Sequence, residues 1–517
     1  MRYLLTAGQM RDAEAAAVAG GATLVGLMDR AGAAVAAEVA SLSAAGRVVV
    51  LAGGGNNGGD GWVAARLLHE AGRDVLVLSA VDPRTLPAPA NEAAATASSS
   101  GVPWKRADAA MVSEAGREAS VVVDALLGIG AHGAPRPPYD VLIGAAAEVR
   151  CPVVAVDVPS GVDADTGATP GPSIRADVTV TFAAPKLGCV LQPGASRSGE
   201  LVVVDIGIAA SATTGVPEIW DADDYARRLP RLSWDDTKAT RGRVLIVGGA
   251  PGMTGAACLA AMGALRTGAG YVTVAVPAPS LAIVEAKLTA PVKLALPAGP
   301  DGSLEPGAVE AILQAASRAD AVLIGPGLGR SGATIEVVRE VVSRLDVPLV
   351  VDADALFALG EDLGQVAERT APTILTPHAG EAARLLGSSS DRVQADRLAA
   401  ARALAVGSAV AVLKGPATLV AGEDRVVVNP SGGPGLATLG TGDVLAGMVA
   451  GLVAAGLSPL DAAVVGTYLH GMSGDMASRD LTPLCCTAED VVAYLPEAVR
   501  SVTGAALRTC DGGTSDE

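Results

Sequence analysis

The chain has 517 residues and a formal net charge of −17; half of its residues are hydrophobic, but only 2% are aromatic. This length favours two domains. The negative charge excludes a broad basic surface for nucleic acid, whereas small anions can still bind at glycine loops and helix N-termini. With so few aromatic residues, the cores must be built from Ala, Val and Leu, as in helices packed on parallel strands.

The ends of the chain and its cysteines support further expectations. Met1–Thr6 lacks the apolar core of a signal peptide, and no charge-free apolar run reaches the ~20 residues that span a membrane. We therefore expect a cytoplasmic protein without a membrane partner. Its six cysteines match neither a disulfide framework nor a paired metal motif, and only Cys485 and Cys486 merit a redox test. We predict that residues 504–517 form a disordered acidic tail.

The first half predicts a parallel sheet covered by helices on both faces. Thr6 to Gln9 has the pattern of a capping box ahead of an Ala-rich helix. Apolar, β-branched runs then alternate with turns and helical segments. The predicted strands are Val48–Ala52, Asp74–Leu78, Val121–Asp124, Val153–Asp157, Val178–Phe182 and Leu201–Asp205.

The second half repeats this alternation without copying the first in sequence. The pattern lapses between about Ile208 and Arg243, so we predict one α/β domain over 1–215 and another over 225–503. The predicted strands of the second domain are Val244–Val247, Val272–Val276, Ala321–Ile324, Leu349–Val351, Thr373–Leu375, Val410–Leu413 and Arg425–Val428.

A glycine-rich loop is the main motif of the first half. Val48–Ala52 leads into Gly53-Gly54-Gly55-Asn56-Asn57-Gly58-Gly59-Asp60-Gly61, and a run with helical spacing follows. Strand, glycine loop and helix form the arrangement in which backbone amides and a helix N-terminus bind phosphate. A GxGxxG match alone is weak, but the Asn and Asp side chains of this loop also suit a cation or a ribose.

Polar residues follow further strands of this half, where open α/β sheets bind their ligands. Asp124 and Asp157 each end an apolar run, Ser160 follows the second of them, and Lys186 comes after the next strand. An Asp with a Lys can exchange a proton at carbon or nitrogen. The oxygens of Asn57, Asp124 and Ser160 are of the kind that binds alkali or alkaline-earth cations.

The motifs GGGNNGGDG, VDALLGIG, VDVPSG and TFAAPKLG resemble those of NAD(P)H-hydrate epimerases. That family has a Rossmann-like fold and interconverts the R and S forms at C6 of the hydrated nicotinamide ring. The resemblance implies that Asn57, Asp124 and Ser160 bind potassium and that Asp157 contacts the substrate, and we assign Asp157 and Lys186 as its proton-handling pair. The implied substrate contacts are Asn56, Asn57, Gly58, Gly59, Asp60, Gly128, Ile129, Gly130, Ala131, His132, Gly133 and Ala134.

The strongest signal of the second half is Gly440-Thr441-Gly442-Asp443, which opens into a helix of Ala, Val and Leu. Its amides can hold a phosphoryl group while Asp443 acts as a base toward an attacking alcohol. Lys414-Gly415-Pro416-Ala417-Thr418 follows a strand and suits nucleotide phosphates. His378 lies in a Gly/Pro loop at another strand end, and Gly325–Gly329 occupies a third.

GTGD after a Lys-Gly-x-x-Thr loop resembles the ribokinase-like superfamily. With PGLG, TPHAGE and GGAPGMTGAACLAAMGALRTGAG, the half is similar to ADP-dependent NAD(P)H-hydrate dehydratases. The resemblance implies removal of water from the S epimer at the expense of ADP, with magnesium bridging the phosphates. The implied substrate contacts are Ala256, Gly327, His378 and Asp443, and the implied ADP contacts are Lys414, Gly415, Pro416, Ala417, Thr418 and Gly442.

Some positions depart from the dehydratase pattern. Ala379 stands where the family usually has Pro, Leu439 stands where Gly precedes GTGD, and the segment around Val292 lacks an expected Glu motif. These departures concern the fit of the substrate and leave Asp443, His378 and the lysine loop in place. The resemblance also suggests a homo-oligomer, up to a tetramer.

The sequence supports one main hypothesis and two alternatives. We predict a bifunctional repair enzyme that converts NADH and NADPH hydrates, in which the epimerase supplies the S form to the dehydratase. One alternative is a ribokinase-like kinase for a small alcohol with a non-catalytic nucleotide-binding module. The other is that the first half only binds a partner. His378 and the GNNGGDG loop argue against the first alternative, and Asp124 and Asp157 argue against the second.

Overall fold

The computed structural model describes residues 2–209 and 216–510. Two compact units make up the chain: the first spans Arg2–Pro217 and the second begins at Glu218. The division falls inside the stretch of 208 to 243 where the alternating sequence pattern lapses. Ser211–Gly215, which contributed to that boundary prediction, lies outside the described residues.

The first unit is built from alternating strands and helices. In chain order its elements are β1 (Arg2–Tyr3), α1 (Ala7–Ala19), α2 (Leu24–Leu42), β2 (Arg47–Ala52), α3 (Asn56–Glu70), β3 (Asp74–Ser79), α4 (Ala90–Ser99), β4 (Trp104–Arg106), α5 (Ala109–Glu118), β5 (Ala119–Ala125), α6 (Tyr139–Ala146), β6 (Val153–Val156), β7 (Val178–Phe182), α7 (Ala195–Ser198) and β8 (Glu200–Val204). All six predicted strands are present. Sequence reasoning missed β4 because its three residues are all exposed and form no apolar run.

Seven parallel strands form the sheet of this unit, in the order β4-β3-β2-β5-β6-β7-β8. The chain moves outward from β2 on one side and from β5 on the other, so the strand order reverses between them. A crevice opens at the carboxyl ends of strands at such a reversal, and ligands bind there. The predicted glycine loop after β2 and the loop after β5 therefore lie side by side, with Gly53 N donating to Ala125 O at 2.9 Å.

The capping box predicted for α1 is confirmed: Thr6 Oγ1 accepts from Gln9 N at 3.2 Å, and Gln9 Oε1 accepts from Thr6 N at 2.9 Å. These two bonds satisfy amides that the first helical turn leaves without partners. They fix the start of α1, which contributes to the wall of the candidate site.

The second unit contains more elements. They are β9 (Glu218–Ile219), α8 (Ala222–Arg228), β10 (Arg243–Val247), α9 (Thr254–Arg266), β11 (Tyr271–Pro277), α10 (Leu281–Lys287), β12 (Val292–Leu296), α11 (Gly307–Ala316), β13 (Ala321–Ile324), α12 (Gly332–Arg344), β14 (Leu349–Val351), α13 (Asp354–Leu359), α14 (Gly364–Ala367), β15 (Thr373–Leu375), α15 (Ala379–Leu385), α16 (Ser390–Ala395), α17 (Arg397–Leu404), β16 (Val410–Leu413), β17 (Leu419–Ala421), β18 (Val426–Val428), α18 (Thr441–Ala454), α19 (Pro459–Leu481) and α20 (Ala488–Cys510).

The strands of the second unit follow the order β9-β18-β17-β16-β15-β14-β13-β10-β11-β12. The centre from β12 to β16 is parallel, whereas β17 is antiparallel to both β16 and β18. All seven predicted strands of this half are present. Sequence reasoning missed β9, β12 and β17, and the omission of β17 matters because this strand makes Lys414–Thr418 the turn of a hairpin.

Helix α18 is buried along almost its whole length and packs closely on α9. A Cβ atom on Gly447 would lie 1.9 Å from Ala260 O, and one on Gly263 would lie 2.4 Å from Val444 O. Only glycine permits such a close approach of two helix backbones. Because Gly440 to Asp443 forms the start of α18, this packing holds the predicted anion site against the core.

The prediction of a disordered tail from residue 504 is wrong for 504–510, because α20 continues to Cys510. The sequence there includes Ala505-Ala506-Leu507, which favours helix. Residues 511–517 lie outside the described residues. Within the described part of the chain, none of the helices has the length and apolar character needed to cross a membrane. The cysteines described there are free thiols: Cys151, Cys189, Cys258, Cys485 and Cys486.

Two candidate active sites

A cavity of ≈ 440 Å³ lies at the carboxyl ends of the first unit's strands. The predicted residues that line it are Asn56, Asn57, Asp60, Gly128, Ile129, Gly130, Ala131 and Asp157. Helices α1 and α2 complete its wall with residues to which no motif pointed: Met10, Arg11, Glu14, Leu24, Leu27, Met28 and Ala31. The only available sequence signal for these residues is the amphipathic pattern of the two helices, which by itself indicates a core rather than a site.

Several predicted contact residues do not line this cavity: Gly58, Gly59, His132, Gly133, Ala134 and Lys186. Gly58 and Gly59 serve close packing instead, since added Cβ atoms would lie 2.2 Å from Gly53 O and 2.5 Å from Met28 Cε. His132 is exposed, and its Nδ1 lies 3.2 Å from Asp163 Oδ2. Of the residues from Asn56 to Asp60 that the resemblance implies as contacts, Asn56, Asn57 and Asp60 line this cavity.

Asp157 follows β6 with a backbone φ of 65°, a conformation that non-glycine residues rarely adopt. Its Oδ1 accepts from Thr181 Oγ1 and Phe182 N, both at 3.2 Å, and from Lys186 Nζ. No described residue donates to Oδ2. The carboxylate is therefore anchored through Oδ1, and Asp157 lines the cavity.

The side chain of Lys186 is completely buried and donates all of its N–H groups. Besides Asp157, it contacts Thr181 Oγ1 at 3.1 Å and Phe182 O at 2.9 Å. With its three hydrogen bonds made inside the protein and no surface in the cavity, Lys186 holds the carboxylate of Asp157 in position. The structure brings the predicted pair together, but it exposes only the carboxylate to a ligand.

Asp60 faces the same cavity from the second turn of α3 and is 9% exposed. Burial raises the pKa of this carboxyl well above its usual value, and the nearby Asp157 and Glu14 raise it further, while Lys186 opposes them. Burial and Asp157 also raise the pKa of Glu14. Three carboxyl groups thus surround one cavity whose nearby lysine is already paired, which favours the protonated form of Asp60.

The three predicted potassium ligands converge on one backbone segment. Asp124 accepts from Ser160 N at 2.8 Å and from Ser160 Oγ at 2.6 Å, and burial raises the pKa of Asp124 to about 6. Leu127 N donates to Ser160 Oγ at 2.9 Å, and Leu127 O accepts from Asn57 Nδ2 at 2.9 Å. Carboxylate, hydroxyl, amide and carbonyl oxygens therefore gather around Leu127, and this donor set fits a hard cation.

In the second unit, Gly440 has a left-handed φ of 92° and precedes the first turn of α18. Thr441 Oγ1 donates to Leu436 O at 2.9 Å and to Thr438 O at 3.0 Å, which ties the turn to the preceding loop. His470 Nε2 donates to Thr441 O at 2.8 Å, and burial lowers the pKa of His470 to about 4, so the imidazole is neutral. The start of α18 is thus fixed on both sides.

Asp443 lies in this first turn, and its carboxyl has an unusual pKa of about 7. Burial is the main cause of the increase, and the nearby Asp352 adds to it, whereas Lys414 lowers it. A carboxyl with a pKa near neutrality is well suited to accept a proton from an alcohol and later to release it. This is the property expected of the predicted base.

Asp352 is a residue of the second site that sequence reasoning missed. It is 1% exposed, it pairs with Lys414 Nζ at 2.9 Å, and it accepts from Thr376 Oγ1 at 2.7 Å. A Cβ on Gly442 would lie 3.4 Å from Lys414 Nζ, so this pair adjoins the start of α18. The available signal was an Asp directly after an apolar strand, the same signal that led to Asp124.

The predicted hydrate contacts fall on neighbouring loops of the second unit. Gly327 has a φ of 55°, and a Cβ on it would lie 3.1 Å from Ala256 Cβ, so these two residues adjoin. His378 is exposed and caps α15, because its Nδ1 accepts from Gly380 N at 3.0 Å and from Glu381 N at 3.2 Å. Ala379 is the first residue of that helix, where the usual Pro is also favoured, so this departure preserves the helix start.

No cluster of three or more His, Cys, Asp or Glu side chains suited to a metal ion occurs in the described ranges. Magnesium does not require one, because it is usually bound through one or two carboxylates together with substrate phosphates and water. Asp352, which adjoins the lysine loop, provides a carboxylate of that kind. The second site therefore fits a magnesium ion that arrives with a nucleotide.

Family models match residues in both units of the chain. The family model described as NAD(P)H-hydrate dehydratase matches residues 244–497, and the one described as YjeF-related protein N-terminus matches 25–188. The bifunctional NAD(P)H-hydrate repair enzyme Nnr of Moorella thermoacetica is 44% identical over 403 residues, which cover 77% of this chain and 75% of the relative. Its namesake from Hyperthermus butylicus is 38% identical over 492 residues, covering 93% and 89%.

The Escherichia coli enzyme of the same name is 35% identical over 453 residues and covers 85% of this chain and 82% of its own. Among solved structures, the ADP/ATP-dependent NAD(P)H-hydrate dehydratase of Bacillus subtilis is 28% identical, with a TM-score of 0.49, and covers 55% of this chain and 99% of its own. The extent and identity of the sequence matches show that this chain belongs to the family of bifunctional NAD(P)H-hydrate repair enzymes.

Proposed function

We propose that the first unit interconverts the R and S hydrates of NADH and NADPH and that the second dehydrates the S form with ADP, giving AMP and phosphate. One observation carries the proposal: each unit presents one anchored or buried aspartate, Asp157 or Asp443, beside a glycine loop at the carboxyl ends of its strands. Such loops bind phosphate, which both hydrates and ADP carry.

The epimerase step needs a bond at C6 to break and form again on the other face. In the proposed step, Asp157 Oδ2 takes the proton of the C6 hydroxyl, the C6–N1 bond breaks to leave a C6 carbonyl, and N1 receives a proton. Asp60, which faces the same cavity, is the acid that supplies this proton. Closure on the opposite face reverses both transfers and inverts C6, so no atom is gained or lost.

Asp60→Asn provides a test that depends on pH. Because the folded state keeps this carboxyl protonated above its usual pKa of 3.8, its contribution to stability is present at low pH and is lost as pH rises toward the folded pKa. We therefore expect the variant to have a higher Tm than the wild type at neutral pH and an equal Tm near pH 4. Epimer exchange should fall about 10²-fold. A Tm difference independent of pH would contradict the protonated assignment.

Lys186→Met tests the positioning role of the lysine. The variant loses the hydrogen bonds of the amine to Asp157, Thr181 and Phe182, so the Asp157 carboxylate is no longer held in place and exchange should fall about 10- to 1,000-fold. The assay is the rate of R-to-S conversion, with dehydration of the pure S form as the internal control. Exchange equal to that of the wild type would show that the lysine does not position Asp157.

The dehydratase step is a phosphoryl transfer followed by an elimination. Asp443 takes the proton of the C6 hydroxyl, the oxygen of that hydroxyl attacks the terminal phosphorus of ADP, and AMP leaves. The C6–O bond then breaks, the departing phosphate accepts a proton from the neighbouring C5, and the double bond between C5 and C6 forms again. The first-turn amides of α18 and the Lys414 loop would hold the transferred group.

Two cations complete the proposal. Magnesium, when bound, would neutralise charge on the ADP phosphates, with Asp352 as the available carboxylate. Potassium would be held by Asn57, Asp124 and Ser160 and would stabilise the loop that contains Leu127. Potassium binding, a cytoplasmic location and a homo-oligomeric state remain predictions, the last of which sedimentation measures directly.

The deciding experiment uses the full chain with a mixture of R and S hydrates. With ADP and magnesium, the ultraviolet absorbance of the reduced nicotinamide should recover completely, because the epimerase converts R to S as S is consumed. If the absorbance recovers only by the amount that the S hydrate accounts for, the first unit does not epimerise the R hydrate and that part of the proposal is wrong. No recovery, together with phosphorylation of a simple alcohol, would establish the kinase alternative.

A further inference from the structure

Arg397, the first residue of α17, is a buried arginine that the proposed chemistry does not use. It is 4% exposed and lies where β16 ends, because its Nη2 donates to Leu413 O at 3.1 Å. Its Nη1 donates to Gln394 Oε1 at 3.3 Å, and its Nε has no partner in the described part of the chain. The carboxyl ends of parallel strands form the edge at which this type of sheet binds ligands.

No carboxylate of the described residues forms an ion pair with this guanidinium. Burial lowers the pKa of Arg397 to about 10, so the group remains charged at neutral pH. Burying a charge without a counter-charge is unfavourable, and such a group normally has a partner. The partner of Arg397 is therefore expected to be a group that the folded chain alone does not provide.

Arg369 shows how the same protein buries an arginine for structural purposes. Its Nη1 donates to Val342 O and Leu345 O, both at 2.6 Å, and its Nη2 donates to Val347 O at 2.9 Å. Its Nε donates to Thr373 Oγ1 at 2.8 Å. These carbonyls include the C-terminal end of α12, whose partial negative charge compensates a cation. Arg397 has a single backbone carbonyl and no helix C-terminus among its hydrogen-bond partners.

The guanidinium of Arg397 packs directly against the lysine loop. Gly415 has a φ of 140°, and a Cβ on it would lie 2.8 Å from Arg397 Nη1 and 3.2 Å from Nη2. The neighbouring Lys414 is already paired with Asp352, and Asp443 and Glu381 add negative charge beside it. A nucleotide phosphate entering this region would thus meet several carboxylates and one neutralised lysine, which leaves Arg397 to supply uncompensated positive charge.

We propose that Arg397 is a positioning residue for the nucleotide: its guanidinium lies against the Gly415 turn and provides the buried charge that the terminal phosphates of a nucleoside diphosphate compensate. This inference rests on the proposed dehydratase function and extends the ADP contacts beyond Lys414–Thr418 to a residue of α17. This role accounts for a buried cation that has no counter-charge and lies against a turn in which Gly415 leaves no room for a larger side chain. The free-energy cost of burying this charge in the free protein is offset when the anion binds.

The test compares Arg397→Gln, Arg397→Lys and the matched control Arg369→Gln in the full chain. Calorimetric titration with magnesium and ADP gives Kd, and thermal unfolding of the ligand-free protein gives Tm. We expect Arg397→Gln to raise the Kd for ADP about 10- to 100-fold, the range of a charged hydrogen bond, without lowering Tm. Arg397→Lys should bind ADP more tightly than Arg397→Gln. Arg369→Gln should lower Tm and leave the Kd unchanged.

The outcomes separate this inference from the function on which it rests. Equal Kd values for the wild type and Arg397→Gln would overturn the inference alone. A fall in Tm for both Arg397 variants, with ADP binding equally weak in each, would assign Arg397 to loop structure and also overturn it. If the wild type itself does not bind ADP, the proposed dehydratase function fails and the inference fails with it.

Discussion

Asp443→Asn should reduce dehydration of the pure S hydrate about 10²- to 10⁴-fold, equivalent to about 3–5 kcal/mol of transition-state stabilisation. The amide keeps the size of the side chain but cannot accept the proton of the C6 hydroxyl. In the wild type, dehydration should rise with pH through about 7, because only the ionised carboxyl is a base and its pKa is about 7. The variant should lose this dependence.

Epimer exchange and Asp461→Asn are the controls for that variant. Exchange should be unaffected, since Asp443 belongs to the other unit. Asp461 forms a partly exposed pair with Arg228 at 3.0 Å, so its substitution removes the same charge from the same unit at little cost. Near-normal dehydration by Asp443→Asn would show that another group is the base.

Asp157→Asn should have the second large effect, a loss of about 10²- to 10⁴-fold in R-to-S exchange with unchanged dehydration of the S form. The variant keeps an acceptor oxygen for Thr181 and Phe182, but it removes the charge that pairs with Lys186 and the base that faces the cavity. The measurement is the rate of R consumption in the presence of excess ADP, where exchange limits recovery.

Asp74→Asn is the matched control in that unit, because it removes one carboxylate from an exposed pair with Arg47 at 2.8 Å. Exposed pairs contribute about 0–1 kcal/mol, so stability and exchange should change little. If Asp157→Asn and Asp74→Asn exchange equally well, Asp157 is not the base, and Asp60 and Glu14 become the candidates to examine.

Strand positions and strand-end residues were predictable from the sequence because both rest on local patterns. Apolar, β-branched runs located every predicted strand, and an Asp after such a run pointed to Asp124 and Asp157. The same rule applied to Val350-Val351-Asp352 would have found the partner of Lys414. The short β17 was missed because its three residues follow β16 too closely to be separated by periodicity.

The walls of the first cavity and the buried arginine could not be predicted in this way. Glu14 reaches the cavity only because α1 folds over the ends of the strands, which depends on tertiary packing. Lys186 was assigned to proton transfer because the sequence does not show that three acceptors occupy its amine. Gly58 and Gly59 look like loop contacts in the sequence, although distant atoms of the fold require them to be small.

The close contact between α9 and α18 has a consequence for how the two substrates of the second unit meet. Ala256, a predicted hydrate contact, is on α9, and Asp443 is on α18; Gly263 and Gly447 hold these helices backbone to backbone. With the proposed contacts, the spacing between the C6 hydroxyl and the phosphoryl donor would be set by this helix pair rather than by a loop that must become ordered. Little conformational entropy would be lost on binding, and the alignment of the reacting atoms would exist before either substrate arrives.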